Sequence, residues 1–280
     1  MPIPESPDAV IDDLSQELDG ISGRLVAARA NAEALPDFPG QLPQTLDDAY
    51  TIQSASISRW PDEIAGWKVG MVPESYRERL AAERLTGPIF KSSVFRIKPG
   101  STKTMPIYTG GFAAVEAEFV FELAVAIEPF ERDYSDEELI ERVAGLFIGA
   151  EVASSPMALI NELGPCAVVS DFGNNAGLIV GPSIPNWSSM PLDSLTVGVT
   201  IDDKIVGKSD ANAIEGGPLR ALRFLFHSCG RRGLDLPRGT LISTGAVTGI
   251  HDVQVGSKAD IDFGPFGSFK VAFESMTRKN

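Results

Sequence analysis

The sequence predicts an α+β fold in which a helical segment over residues 1–62 precedes a β-rich core over residues 63–280, the two packed as one unit. Three observations carry this. Leu14, Leu18, Ile21, Leu25 and Ala28 recur at helical spacing. In residues 113–123, apolar Val115, Ala117, Phe119, Phe121 and Leu123 alternate with Glu116, Glu118 and Glu122, the period-two pattern of a strand. The last third of the chain consists mainly of short strand-like runs in a glycine-rich setting.

The elements follow in order. A first helix is expected over residues 6–34, with Ser6-Pro7-Asp8 as its start signal. Pro36, Pro39, Gly40 and Pro43 make residues 35–45 a linker. A second helix runs to about Arg59, with Thr45 as N-cap, Asp47 and Asp48 in the first turn, and Pro61 as its stop. Residues 64–72 read as a strand that sets Lys68 among Trp67, Val69 and Met71, between Gly66 and Gly70. A short charged helix over 74–84 and mixed strand and loop up to Pro106 lead to the central strand, 113–127. Ser135 and Glu138 form a capping box for a helix ending near Val143. Residues 146–152 are an apolar strand interrupted by Glu151, residues 156–163 a short helix and residues 166–170 a strand. Strands are expected at 178–180, 195–201 and 204–206, with Asp202-Asp203 as a hairpin turn. A helix over 213–228 stops at Gly230. Strands at 240–244, 252–255, 258–263 and 268–273 complete the chain.

Bulk properties narrow the function classes. The chain has 280 residues, 43% hydrophobic and 22% charged, as in an ordinary globular protein. A formal charge of −14 argues against a nucleic-acid or anionic-membrane partner. Cys166 and Cys229 form neither a C-x-x-C pair nor a zinc pattern. Residues 1–20 lack a basic-then-apolar leader, and no apolar run reaches about 18 residues. A reducing, cytoplasmic setting is expected.

Chemistry centres on a few residues. On one face of a strand Glu116 and Glu118 stand about 7 Å apart. Two such carboxylates repel unless water or a cation separates them, and an all-oxygen set suits a hard divalent ion. The competing reading is an amphipathic strand with a solvated acidic face. Glu151 sits in the apolar run Phe147-Ile148-Gly149-Ala150-Glu151-Val152-Ala153, so it needs either a shared metal or a basic partner. Lys68 has the setting to bring an ammonium into a desolvated site, where it meets a substrate carboxylate or exchanges a proton; the alternative is an exposed strand lysine. Asp171 fits a ligand, an acceptor for Lys68 or a turn residue. Ser243-Thr244-Gly245 opens a hydroxyl- and glycine-rich turn suited to an anion or a keto oxygen, although such turns are routine. His227 and His251 lack zinc-ligand spacing.

Taken in order, Gly66-Trp67-Lys68-Val69-Gly70, Val115-Glu116-Ala117-Glu118, Gly149-Ala150-Glu151-Val152, Ser170-Asp171 with Asn175-Ala176-Gly177-Leu178-Ile179-Val180-Gly181, and Ile242-Ser243-Thr244-Gly245 resemble the 2-keto-4-pentenoate hydratases. These belong to the fumarylacetoacetate hydrolase superfamily, together with the 4-oxalocrotonate decarboxylases. The resemblance covers residues 45–273. It implies a mixed β-roll core with surrounding helices, and a homo-oligomer. It also implies Mg²⁺ or Mn²⁺ held by Glu116, Glu118 and Glu151. The expected activity is metal-dependent hydration of a small unsaturated 2-oxo acid such as 2-hydroxypenta-2,4-dienoate. Lys68 and Asp171 are then the catalytic candidates, and Ser243, Thr244 and Lys68 the substrate-binding ones. Decarboxylation of a 2-oxo dicarboxylic acid, acylpyruvase-type C–C hydrolysis and a non-catalytic assembly subunit are the alternatives. One departure stands out: the hydratases usually carry an acid just before the glycine matching Gly87, where this chain has Thr86. The C–C hydrolases use a His–Glu pair near the front of the core, and this chain has no histidine before 227.

Overall fold

The computed structural model describes residues 7–278, with side chains from Gln16 onward. α1 (Pro7–Asn31) and α2 (Leu46–Arg59) come first; the expected start at Ser6 lies outside the described residues. Thr45 caps α2 by accepting a hydrogen bond from the Asp48 amide at 3.2 Å. α3 (Glu74–Leu80) separates β1 (Ile64–Met71) from β2 (Arg84–Phe90), and β3 (Val94–Arg96), β4 (Thr102–Ile107) and β5 (Phe112–Leu123) follow. α4 (Asp136–Glu141), closed by the Ser135–Glu138 capping box, leads into β6 (Val143–Ser155). α5 (Ile160–Leu163) and α6 (Pro165–Ser170) fill the turn to β7 (Asn175–Ser183). The C-terminal part runs β8 (Thr196–Ile201), β9 (Lys204–Asp210), α7 (Gly217–Arg232), β10 (Leu241–Ser243), β11 (His251–Asp252), β12 (Lys258–Asp262) and β13 (Ser268–Ser275).

The strands form two mixed sheets. One has the order β2-β1-β10-β5-β6-β7-β3, with β11 on the start of β5; the other is β4-β13-β12-β8-β9. β1 with β10, β3 with β7 and β4 with β13 are parallel, and the remaining pairs antiparallel. Ile89 of β2, Val120 of β5, Leu178 and Val180 of β7 and Leu241 of β10 share one buried cluster. Strands far apart in the pairing order therefore face a common interior, so the sheet curls into a half-barrel. Its convex face carries Val115, Ala117, Phe119 and Phe121 against the second sheet. The Phe119 and Phe263 rings meet there edge to face at 5.6 Å. Period two sends Glu116 and Glu118 to the concave face with Val120. That face is buried as well, which overturns the solvated-strand alternative: Glu116 is 5% and Glu118 1% exposed.

The N-terminal helices close one side of the half-barrel. Leu18, Ile21 and Leu25 of α1 and Ile52 of α2 share a cluster with Leu85, Met157, Ile160 and Val169. Gln53 donates to the carbonyls of Thr86 at 3.0 Å and Val169 at 2.9 Å. Among the described residues no helix is long and apolar enough to cross a membrane.

Two expectations are corrected. Residues 166–170 are not a strand but the helix α6: Pro165 stands in its first turn, and the Asp171 amide donates to the Ala167 carbonyl at 3.1 Å. A short buried apolar run has no periodicity with which to tell helix from strand. Gly230 does not stop α7, which continues to Arg232 and ends at Gly233 with φ +65°. Gly230 is small for a different reason, since a Cβ there would lie 2.9 Å from the Phe130 carbonyl oxygen.

Candidate metal centre

Strand register assembles the site. Glu116 of β5 lies opposite Glu151 of β6, and Glu118 lies opposite Gly149. On the other flank Lys68 of β1 lies opposite Ser243 of β10. One carboxylate oxygen from each of Glu116, Glu118 and Glu151 falls within 4.8 Å of the others. Glu151 is fully buried and Lys68 is 5% exposed. Lys68 Nζ stands 3.6 Å from Glu151 Oε2 and donates to Asn174 Oδ1 at 3.5 Å. Asn174 in turn donates to Asn161 Oδ1 at 3.4 Å.

Neutral donors hold the carboxylates in place. Glu118 Oε2 accepts from Ser243 Oγ at 2.5 Å and from the Gly245 amide at 2.8 Å. Gly245 has φ +110°, a backbone conformation that only glycine adopts at little cost. Glu151 Oε1 accepts from Asn175 Nδ2 at 2.9 Å. Glu151 Oε2 is buried with no hydrogen-bond partner. Three carboxylates facing one ammonium leave two negative charges uncompensated in a buried site, and a divalent cation supplies that charge and a partner for the orphaned oxygen. The residues therefore fit the metal that the sequence resemblance implies.

The electrostatics agree. Burial, then repulsion from Glu151, pushes the Glu116 carboxyl up to about 7, against partial relief from Lys68. Burial, then repulsion from Glu151 and Glu116, pushes Glu118 well above the carboxylate range, against the hydrogen bonds from Ser243 and the Gly245 amide. Burial alone would lower Lys68, but Glu151, Glu116 and Glu118 together overcome it and raise it, so the ammonium stays charged. The sign for stability follows from Glu116. Its proton is held more tightly in the folded chain, so its contribution is full below about pH 4.5 and is lost as pH rises towards about 7. Melting in EDTA should show stability falling across that window, and saturating Mg²⁺ should remove or reverse the slope, because the ion displaces the proton.

The other expected residues are placed as follows. Ser243 and Thr244 are fully buried. The Ser243 hydroxyl serves Glu118, and Thr244 Oγ1 donates to the Phe119 carbonyl at 2.8 Å. Asp171 does not face Lys68. Its carboxylate accepts from Arg29 Nε at 2.5 Å, Arg29 Nη2 at 2.9 Å and Ser155 Oγ at 2.6 Å. Thr86 also faces away from the triad: Gly87 is the residue opposite Lys68, while the Thr86 amide donates to the Tyr50 hydroxyl at 3.0 Å and Arg232 donates to Thr86 Oγ1 at 3.1 Å. Sequence reasoning missed Arg29 and the supporting role of Asn175. Arg29 had a signal, since it lies four residues after Leu25 on the buried stripe of α1.

Comparisons with known proteins bear on the sequence and the fold. No protein-family model matches the chain. A 4-oxalocrotonate decarboxylase from Pseudomonas putida is 27% identical over 107 residues, 38% of this chain and 40% of that protein. The 2-keto-4-pentenoate hydratase 1 of Dechloromonas aromatica (strain RCB) is 22% identical over 253 residues, 89% of this chain and 94% of that protein. Among solved structures, the 4-oxalocrotonate decarboxylase of Pseudomonas putida G7, complexed with magnesium and adipate, superposes with a TM-score of 0.76 at 21% identity, over 92% of this chain and 97% of that one. Fumarylpyruvate hydrolase from Pseudomonas aeruginosa, in complex with Mn²⁺ and pyruvate, gives a TM-score of 0.51 at 15% identity, over 75% and 89% of the two chains. The resemblance read in the sequence thus holds in both comparisons: this chain has the fold of these solved fumarylacetoacetate-hydrolase-type structures, and in sequence it is similar to a 4-oxalocrotonate decarboxylase and a 2-keto-4-pentenoate hydratase.

Proposed function

We propose that the protein is a cytoplasmic, divalent-metal-dependent lyase that adds water to a small unsaturated 2-oxo acid such as 2-hydroxypenta-2,4-dienoate. The observation that carries this reading is the buried Glu116–Glu118–Glu151 triad, with its orphaned oxygen, beside a single ammonium. The triad would hold Mg²⁺ or Mn²⁺, which when bound supplies electrophilic stabilisation for the negative charge developing on the 2-oxo acid. Lys68 keeps its proton at Nζ and contributes a fixed positive charge and a hydrogen-bond donor next to the substrate oxygen. Asn174 accepts from that ammonium and helps to orient it. Ser243 acts through Glu118, and Asp171 through Arg29 and Ser155, as positioning residues. Burial of the triad limits bulk water at the reacting atoms. Triad and lysine come from one chain, so the homo-oligomer we also propose is not needed to complete them.

Decarboxylation is the second reading, favoured by the Pseudomonas relative and its adipate complex. A substrate with a second carboxylate calls for a second cation. Among the described residues Lys68 is the one cation within ion-pair distance of the triad, so a second would have to stand further along the substrate. A hydrolytic His–Glu pair has less support: His227 lies 3.4 Å from Asp133 and His251 is hydrogen-bonded to Thr248. The test is ultraviolet absorbance of 2-hydroxypenta-2,4-dienoate with Mg²⁺ or Mn²⁺ and again with EDTA. We expect metal-dependent loss of the dienol signal with 4-hydroxy-2-oxopentanoate as product. CO₂ release from a 2-oxo dicarboxylic acid, without dienoate turnover, would move the assignment to the decarboxylase.

A further inference from the structure

We infer that Asn175 tunes which divalent ion the site prefers, by occupying one oxygen of Glu151 and leaving a single oxygen for the ion. The inference rests on the metal-dependent reading above. Asn175 is buried at the start of β7, and its Nδ2 donates to Glu151 Oε1 at 2.9 Å. Its own backbone is fixed, because Arg29 Nη1 donates to the Asn175 carbonyl at 2.9 Å. Glu151 Oε2, on the other side of the carboxylate, has no hydrogen-bond partner and lies 3.6 Å from Lys68 Nζ. Glu118 is treated alike: its Oε2 is held by Ser243 Oγ and the Gly245 amide. Two of the three carboxylates therefore have one oxygen engaged by a protein donor.

This matters because the hard ions differ in what they ask of a carboxylate. Ca²⁺ takes six to eight oxygens and commonly uses both oxygens of a carboxylate, whereas Mg²⁺ requires six at shorter range in near-octahedral order. A site in which two of the three carboxylates have one oxygen held by the protein suits the smaller ion. An amide at 175 does this without adding charge; a carboxylate there would deepen an already negative cluster. The signal in the sequence is the neutral Asn175 within the Asp171 to Gly181 motif.

The experiment is competition of Mg²⁺ and of Ca²⁺ against bound Mn²⁺, followed by electron paramagnetic resonance, for the intact chain and for Asn175→Ala and Asn175→Leu. Both variants free Glu151 Oε1. We expect the affinity ratio of Ca²⁺ to Mg²⁺ to rise about tenfold, within the range for loss of an outer-shell donor. An unchanged ratio, or equal weakening of both ions as a merely structural role would give, overturns the inference. Infrared carboxylate stretches of the Mg²⁺-loaded intact chain need no variant. A wide splitting between the asymmetric and symmetric bands supports one-oxygen binding, and a narrow one overturns the inference even if neither variant folds. A chain that binds no divalent ion at all defeats the metal-dependent reading itself, which separates the two failures.

Discussion

Glu151→Gln should lower Mn²⁺ affinity at least about 100-fold, since even outer-shell donors contribute about 10- to 100-fold to metal affinity. The same variant should melt no lower than the intact chain when both are in EDTA. The two readouts together separate a metal ligand from a structural ion pair. If Glu151 served only as the partner of Lys68, removing its charge would strand a buried ammonium and cost about 3–5 kcal/mol. Here Glu116 and Glu118 remain beside Lys68 and support its charge. The substitution also relieves the repulsion that Glu151 exerts on both of them. Calorimetric titration with Mn²⁺ and thermal melts in EDTA check the two halves independently. A marked fall in the EDTA melt with little change in affinity would return Glu151 to the role of ion-pair partner.

Arg29→Ala should be the most destabilising single change away from the triad. The guanidinium of Arg29 makes two bonds to the Asp171 carboxylate and further bonds to the carbonyls of Asp171, Asn175 and Ser154. It lies 5.2 Å from the centre of the Phe172 ring and 5.6 Å from that of Tyr108. Removing it leaves a buried carboxylate and three carbonyls to be satisfied, at a cost of about 3–5 kcal/mol. For a chain of this size that is roughly 10 °C in melting temperature. Arg29→Lys should recover little, because an ammonium cannot reproduce the planar fork that bridges Asp171 and Asn175. Metal affinity should fall alongside, since Arg29 anchors the backbone of the residue that holds Glu151. A melting temperature within about 2 °C of the intact chain would show that the interior rearranges around the loss.

Much of this was legible from local pattern. The alternation of residues 113–123 located β5 and put Glu116 and Glu118 on one face. The capping signals at Thr45 and Ser135 located two helix starts. The apolar run around Glu151 marked a buried carboxylate, and its pairing with Glu116 then followed from the strands being neighbours. What local pattern does not contain is the identity of those neighbours. Nothing near Asp171 in sequence indicates Arg29, 142 residues away. The sequence leaves Asp171 open to three roles, as a ligand, an acceptor for Lys68 or a turn residue, and α1 brings Arg29 to it instead. The 166–170 run failed because valines and alanine in a fully buried setting satisfy helix and strand alike. The solvated reading of the Glu116–Glu118 face failed for a related reason: alternation shows that a strand has two faces, and sheet curvature decides whether the polar one meets water.

Diffraction from crystals soaked in Mn²⁺, with anomalous scattering recorded at the manganese edge, tests the metal centre most directly. One strong peak per chain should appear among Glu116, Glu118 and Glu151, with one oxygen of each at roughly 2.0–2.3 Å, near the hard-ion range. No peak at the triad at millimolar Mn²⁺, with Lys68 still 3.6 Å from Glu151, would contradict it and leave the three carboxylates as a buried ion-pair cluster.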